Sequence, residues 1–151
     1  MPQANHDAGA GRIRARVHPD CVVCSPDNPH GLQLVFAPAP DGGMQADFAC
    51  AGKYTGYPGY VQGGIVAALL DGAMTNTLFA GGQIALTAEL TVRYLEPLLI
   101  GQTATVRARL ERAGTRLQVL TAEILQEGRT KASARGKFIP HPGFKDDSGD
   151  R

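Results

Sequence analysis

Apolar and polar positions along the chain change their period once. From Gly63 to Ala80 the apolar residues follow a helical pattern, "GGIVAALLDGAMTNTLFA", and Gly81–Gly82 supplies a stop. Beyond it the period drops to two. In "LTAELTVRYL", Leu86, Ala88, Leu90, Val92 and Tyr94 are expected to share one face. In "TATVRARL", Ala104, Val106, Ala108 and Leu110 are expected inside, and Thr105, Arg107 and Arg109 outside. "LQVLTAEIL" and "TKASARGKFI" read as two further strands, joined by a turn at Glu127–Gly128. Before the helix, "LQLVFAPA" and "MQADFAC" read as strands joined by the turn "APDGG".

The expected order is β-β-α-β-β-β-β. A helix this apolar must be covered nearly all round. Short turns between long alternating strands mean antiparallel neighbours. The fold class is therefore α+β, an antiparallel sheet wrapped around one long central helix. Such a sheet leaves exposed edges, so a homo-oligomer is expected.

Residues 1–15 and 141–151 are polar or small and are expected to be disordered, leaving one domain over 16–140. A net charge of +1 gives no field to hold nucleic acid or an anionic membrane. Asp71 interrupts the longest apolar stretch short of the ~20 residues a bilayer needs, so no membrane partner is expected. Three cysteines, without an apolar leader, fit reduced thiols and a cytoplasmic setting.

The helix carries the chemistry. Gln62-Gly63-Gly64 opens it, and glycines at a helix start leave backbone N–H groups facing a ligand, where the dipole favours a negative oxygen. That arrangement can serve as an oxyanion hole. Asp71 has Ala67, Ala68, Met74 and Thr75 as its helical neighbours, a costly setting for a charge that nothing uses. The plain alternative is a bond from Asp71 to Thr75 or to a backbone amide. Eight residues of helix rise ~12 Å, so Gly63 and Asp71 of one chain cannot both touch one carbonyl. If they cooperate, they come from two copies of a symmetric dimer.

"GYPGYVQGGIVAALLDGAM" followed by "LTAELTVRYLEPLLIGQTATVRARL" resembles the hotdog-fold acyl-CoA thioesterases of the phenylacetate-pathway type. The resemblance covers about residues 20–140. It implies a sheet wrapped around a central helix, paired as dimers or tetramers, with acyl-CoA as substrate and no cofactor. It implies that the Gly63 N–H, with Gly64 beside it, polarises the thioester carbonyl. Asp71 of the other subunit acts as nucleophile or general base. Thr87, or Thr75, orients the water or the carboxylate.

Two positions depart from the family pattern. Gln62 stands where the family usually has His, and Gly56 where several relatives place Asn or Gln. These departures keep a non-catalytic acyl-CoA binding or sensing protein as the alternative. No serine lies in a Gly-x-Ser-x-Gly turn, which argues against a serine hydrolase. His6, His18, His30 and His141 are all expected outside the helix and strands, which disfavours a hydratase.

"HPDCVVCSPDNPH" spaces His18, Cys21, Cys24 and His30 as four candidate zinc ligands of a structural site. The alternative is that Cys21 and Cys24 are small buried hydrophobes. The related thioesterases often carry a similar Cys-x2-Cys before Asn-Pro-x-Gly-Leu. In the loop "YTGYPGY", Tyr57 and its neighbours either line an acyl or aryl pocket or pack the loop on the sheet. Lys131, Arg135 and Lys137 either meet CoA phosphates or form a solvated strand face.

Overall fold

The computed structural model describes residues 3–141, with side chains from Gly9 onward. Among these residues lie two α-helices, a short 3-10 turn (Gly52–Tyr54) and six strands: α1 (Gln3–Val17), β1 (Ala37–Pro38), β2 (Met44–Ala49), α2 (Gly63–Ala80), β3 (Ala85–Tyr94), β4 (Thr103–Arg112), β5 (Gln118–Gln126) and β6 (Arg129–Pro140). All strands join one antiparallel sheet in the order β1-β2-β4-β5-β6-β3. This is the hotdog arrangement, with the sheet curled around α2.

α2 runs as the apolar pattern predicts, and Gly82 takes the positive φ that ends it. Its length and hydropathy would suit a membrane, but the chain's own sheet covers most of it. Val66, Leu69, Leu70 and the run from Gly72 to Phe79 are buried. They meet Ala104, Val106 and Ala108 of β4, Leu120, Ala122 and Ile124 of β5, and Phe138 of β6. The alternation foreseen for β4 holds through Ala108, whereas Leu110 is 46% exposed at the end of the sheet.

Two turns show why particular residues stand where they do. Gly43 has φ 76°, and a Cβ there would lie 1.8 Å from the Ala108 carbonyl oxygen, so only glycine fits. Glu127 and Gly128 both take positive φ, the geometry of a two-residue hairpin, and join β5 to β6 with Gln126 opposite Arg129.

Three expectations are corrected. The arm over residues 1–15 is not disordered where it is described: residues from Gln3 onward form α1, which also takes in His6. Ala10, Ile13 and Val17 lie one turn apart and pack on Met44 and Phe79, which holds α1 across the end of α2. The expected tail, apart from His141, lies outside the described residues.

"LQLVFAPA" contributes only Ala37–Pro38 to the sheet. Gln33 takes φ 53°, which breaks an extended run, and the N–H groups of Leu32 and Leu34 bond the carbonyls of Val22 and Val23 instead of a neighbouring strand.

β3 does not keep one face. A bulge between Thr87 and Glu89 leaves Ala88 without a partner on β6. Ala85 and Thr87 precede the shift and Leu90 and Val92 follow it on the helix side, while Leu86 turns out at 52% exposure.

Candidate active site

The first turn of α2 is capped by Gln62. Its side-chain Oε1 accepts the Ile65 N–H at 3.0 Å, and its carbonyl accepts those of Ile65 and Val66. The N–H groups of Gly63 and Gly64 are left without an acceptor among the described residues. A Cβ on Gly64 would lie 2.8 Å from Gln62 Oε1, so a larger residue there would displace the capping side chain. The two positions that depart from the family pattern touch each other, since a Cβ on Gly56 would lie 3.0 Å from the Gln62 Cα. Tyr94, at the end of β3, donates its hydroxyl to the Gly63 carbonyl at 2.7 Å and ties the helix start to the sheet edge.

Asp71 lies two turns further along. It is half-buried between α2 and β3, and Thr87 donates to its Oδ1 at 2.6 Å. Burial raises its carboxyl above the usual range. The Thr87 hydrogen bond pulls it back, the Cys21 thiolate pushes it up, and His18 opposes that push. The plain alternative for Asp71, a bond to Thr75, is not the one formed: Thr75 is buried and the hydroxyl on Asp71 belongs to Thr87. Gly63, Gly64, Ala67, Ala68 and Asp71 form a stripe at i, i+4 spacing that the sheet leaves partly open. Apart from Ile65 and Ala80, which are half-buried, the rest of the helix is buried.

A cavity of about 280 Å³ opens at the helix start. Tyr57, Tyr60 and Tyr94 line it with Gly63, Val66 and Leu98. The tyrosines of the loop are thus divided: Tyr57 and Tyr60 face the cavity, whereas Tyr54 packs on Phe48 with ring centroids 5.0 Å apart. Lys131 and Glu96 close the cavity's polar end, 3.1 Å apart, and Lys131 is buried. Lys131 and Arg129 together hold the Glu96 carboxyl below its usual range. Arg135 and Lys137, weighed above with Lys131 as phosphate ligands, pair instead with Glu111 and Glu89 on the open face of the sheet.

Of the four possible zinc ligands, three come together. One ligand atom each from His18, Cys21 and Cys24 lies within 4.8 Å of the others. His30 is exposed, on a turn closed by its own N–H to Asn28 Oδ1. Sequence reasoning did not assign Tyr94 or the Lys131–Glu96 pair to the site. The Tyr-Leu-x-Pro ending of β3 was a signal for Tyr94. The Lys131–Glu96 pair left none, because it joins strand ends that only the fold brings together.

The family model of the thioesterase superfamily matches residues 58–133. Among curated proteins no sequence matches. Among solved structures, a thioesterase superfamily protein is 28% identical with a TM-score of 0.74; the match covers 78% of this chain and 62% of that one. This chain thus spans less than two thirds of that protein's length. A phenylacetic acid degradation-related protein from Ralstonia eutropha is 25% identical, with a TM-score of 0.70, over 87% of this chain and 98% of its own. A Streptococcus mutans protein bound to acetyl CoA is 19% identical, with a TM-score of 0.67, over 72% of this chain and 88% of its own.

Proposed function

The chain belongs to the thioesterase superfamily, and from that premise we propose that it hydrolyses an acyl-CoA thioester at a site shared by two copies of itself. The observation that carries this reading is the open stripe on α2. A helix otherwise largely buried leaves two free N–H groups at one end and a raised, hydrogen-bonded carboxylate two turns on. β3 is an edge strand with Leu86, Tyr94 and Leu95 exposed beside the stripe, a surface suited to a second copy. Antiparallel helices would then set Gly63 of one copy against Asp71 of the other, which removes the ~12 Å separation within one chain.

In this mechanism the Asp71 carboxylate takes a proton from water as the water oxygen attacks the thioester carbon. The Gly63 and Gly64 N–H groups receive the carbonyl oxygen as it becomes an oxyanion. The intermediate then expels the CoA thiolate, which recovers the proton from Asp71 and leaves a free acid. Thr87 aims the carboxylate and keeps it ionised. Tyr94 holds the peptide that presents the N–H groups. The cavity at Tyr57, Tyr60 and Tyr94 takes the acyl or aryl group. The S. mutans neighbour's bound acetyl CoA supports this ligand class.

The test is release of free thiol from short, medium and aryl acyl-CoAs, with Asp71→Asn beside wild type. Single turnover in ¹⁸O-labelled water separates the two roles open to Asp71. Label in the product alone fits a general base, and label in Asp71 means direct attack. Gln62 and Gly56 favour a second reading, an acyl-CoA binder. Neither side chain titrates at the carbonyl position, and Gln62 spends its oxygen on the cap. Tight binding of CoA esters without turnover would select it.

A further inference from the structure

We infer that His18, Cys21 and Cys24 form a three-ligand site for a divalent zinc-class cation, pinning the segment after α1 onto α2, with a fourth position open to water or an exchangeable ligand. The residues lie in "HPDCVVC", none of them has a part in the proposed hydrolysis, and Cys21 and His18 are near enough to act on the charge of Asp71.

Distance is the first argument. Zinc–sulfur and zinc–nitrogen bonds at tetrahedral angles put a sulfur and a nitrogen ligand about 3.6 Å apart. Cys24 Sγ and His18 Nδ1 lie 3.8 Å apart, and all three ligand atoms fall within 4.8 Å. The separations are those of ligands around a common centre, and a small inward movement closes the set.

The surroundings are the second. The N–H groups of Val23 and Cys24 both point at Cys21 Sγ, at 3.3 and 3.4 Å. Such N–H donors favour the thiolate, the form that binds metal. Phe79 of α2 packs edge-on against the His18 ring, with centroids 5.0 Å apart, and fixes its orientation. Asn76, one turn before Phe79, donates its side-chain amide to the Gly72 carbonyl. Two cysteine sulfurs, one of them hydrogen-bonded by backbone N–H groups, with an oriented imidazole are what a borderline-soft cation selects over magnesium or calcium.

The arrangement also differs from a closed four-ligand site. His30 does not join, so two thiolates and one imidazole leave a coordination position free.

The test uses the full chain, purified and stripped with a chelator, then titrated with cobalt(II) alone and back-titrated with zinc. The expected result is a thiolate-to-cobalt charge-transfer band that saturates at one cobalt per chain and is displaced by zinc. His18→Ala and Cys24→Ser each lower the affinity about tenfold or more, and His30→Ala leaves it unchanged. Folding of the variants is checked by far-ultraviolet circular dichroism. Wild type gives an independent reading: bound zinc protects Cys21 and Cys24, and not Cys50, from a thiol reagent after denaturant-free labelling and peptide mapping. Absence of the thiolate band, or an affinity unchanged in the His18 and Cys24 variants, overturns the site. Loss of binding in His30→Ala overturns the three-ligand arrangement.

Discussion

The Thr87 hydroxyl donates to the Asp71 carboxylate at 2.6 Å, joining the edge strand of the sheet to the middle of the central helix. The bond favours the ionised acid, against the burial that opposes it. Thr87→Val keeps the strand-forming shape and removes the donor. The Asp71 carboxyl then rises further, and the acid limb of kcat/KM moves to higher pH. A pH–rate profile of the variant beside wild type measures the shift; an unmoved limb would show that Thr87 does not act through Asp71.

Asp71→Asn separates activity from stability. Removing a general base costs about 10²–10⁴-fold in kcat. The folded chain holds this carboxyl above its unfolded value, so its stabilising contribution is present at low pH and is lost as pH rises through the raised value. At neutral pH the ionised carboxylate therefore weakens the fold. The variant should melt no lower than wild type there, and its advantage should shrink as the pH falls toward the ordinary carboxylate range. Thermal melts across pH, beside thiol-release rates, check both.

Tyr94→Phe removes one hydrogen bond to the peptide that presents the proposed oxyanion donors. The bond is worth about 0.5–1.5 kcal/mol, so kcat/KM should fall roughly 2- to 12-fold, by that energy. Steady-state kinetics on the best acyl-CoA substrate reads it.

Gln62→Ala removes the side-chain cap of α2. Loss of such a cap costs about 1 kcal/mol, seen as a lower denaturation midpoint with an unchanged slope.

Gly72→Ala places a methyl group 2.5 Å from Val23 Cγ1 where α2 meets the chain after α1. Overpacking of this kind costs about 1–3 kcal/mol. Val23→Ala in the same chain returns the space, so a double-mutant cycle should show favourable coupling between the two changes.

Much of this was legible in sequence, for reasons that differ by element. α2 was legible because its apolar run is long and is bounded by glycines at both ends. β4, β5 and β6 were legible because each keeps period two against one buried face. Asp71 and Gly63 stood out chemically and through the family resemblance, and the fold sets both on the partly open stripe of α2, two turns apart. α1 escaped notice because its anchoring rests on Ala10, Ile13 and Val17 alone, amid alanine, glycine and charge. "LQLVF" misled because a single positive φ at Gln33 undoes an alternation that the letters preserve. His30 misled because spacing along a chain says nothing about the direction of a turn.

The bulge at Ala88 has a consequence for descent as well as for geometry. Because β3 changes phase there, the face Thr87 presents depends on how many residues lie between it and Leu90, and not only on what they are. A one-residue deletion at Ala88 would carry Thr87 away from Asp71 and bring Leu86 toward the helix without altering either letter. An ungapped alignment of this strand with a relative that lacks the bulge would therefore pair the hydroxyl with the wrong face. Lineages could gain or lose the carboxylate's partner through a change in length that a comparison of residue identities would pass over.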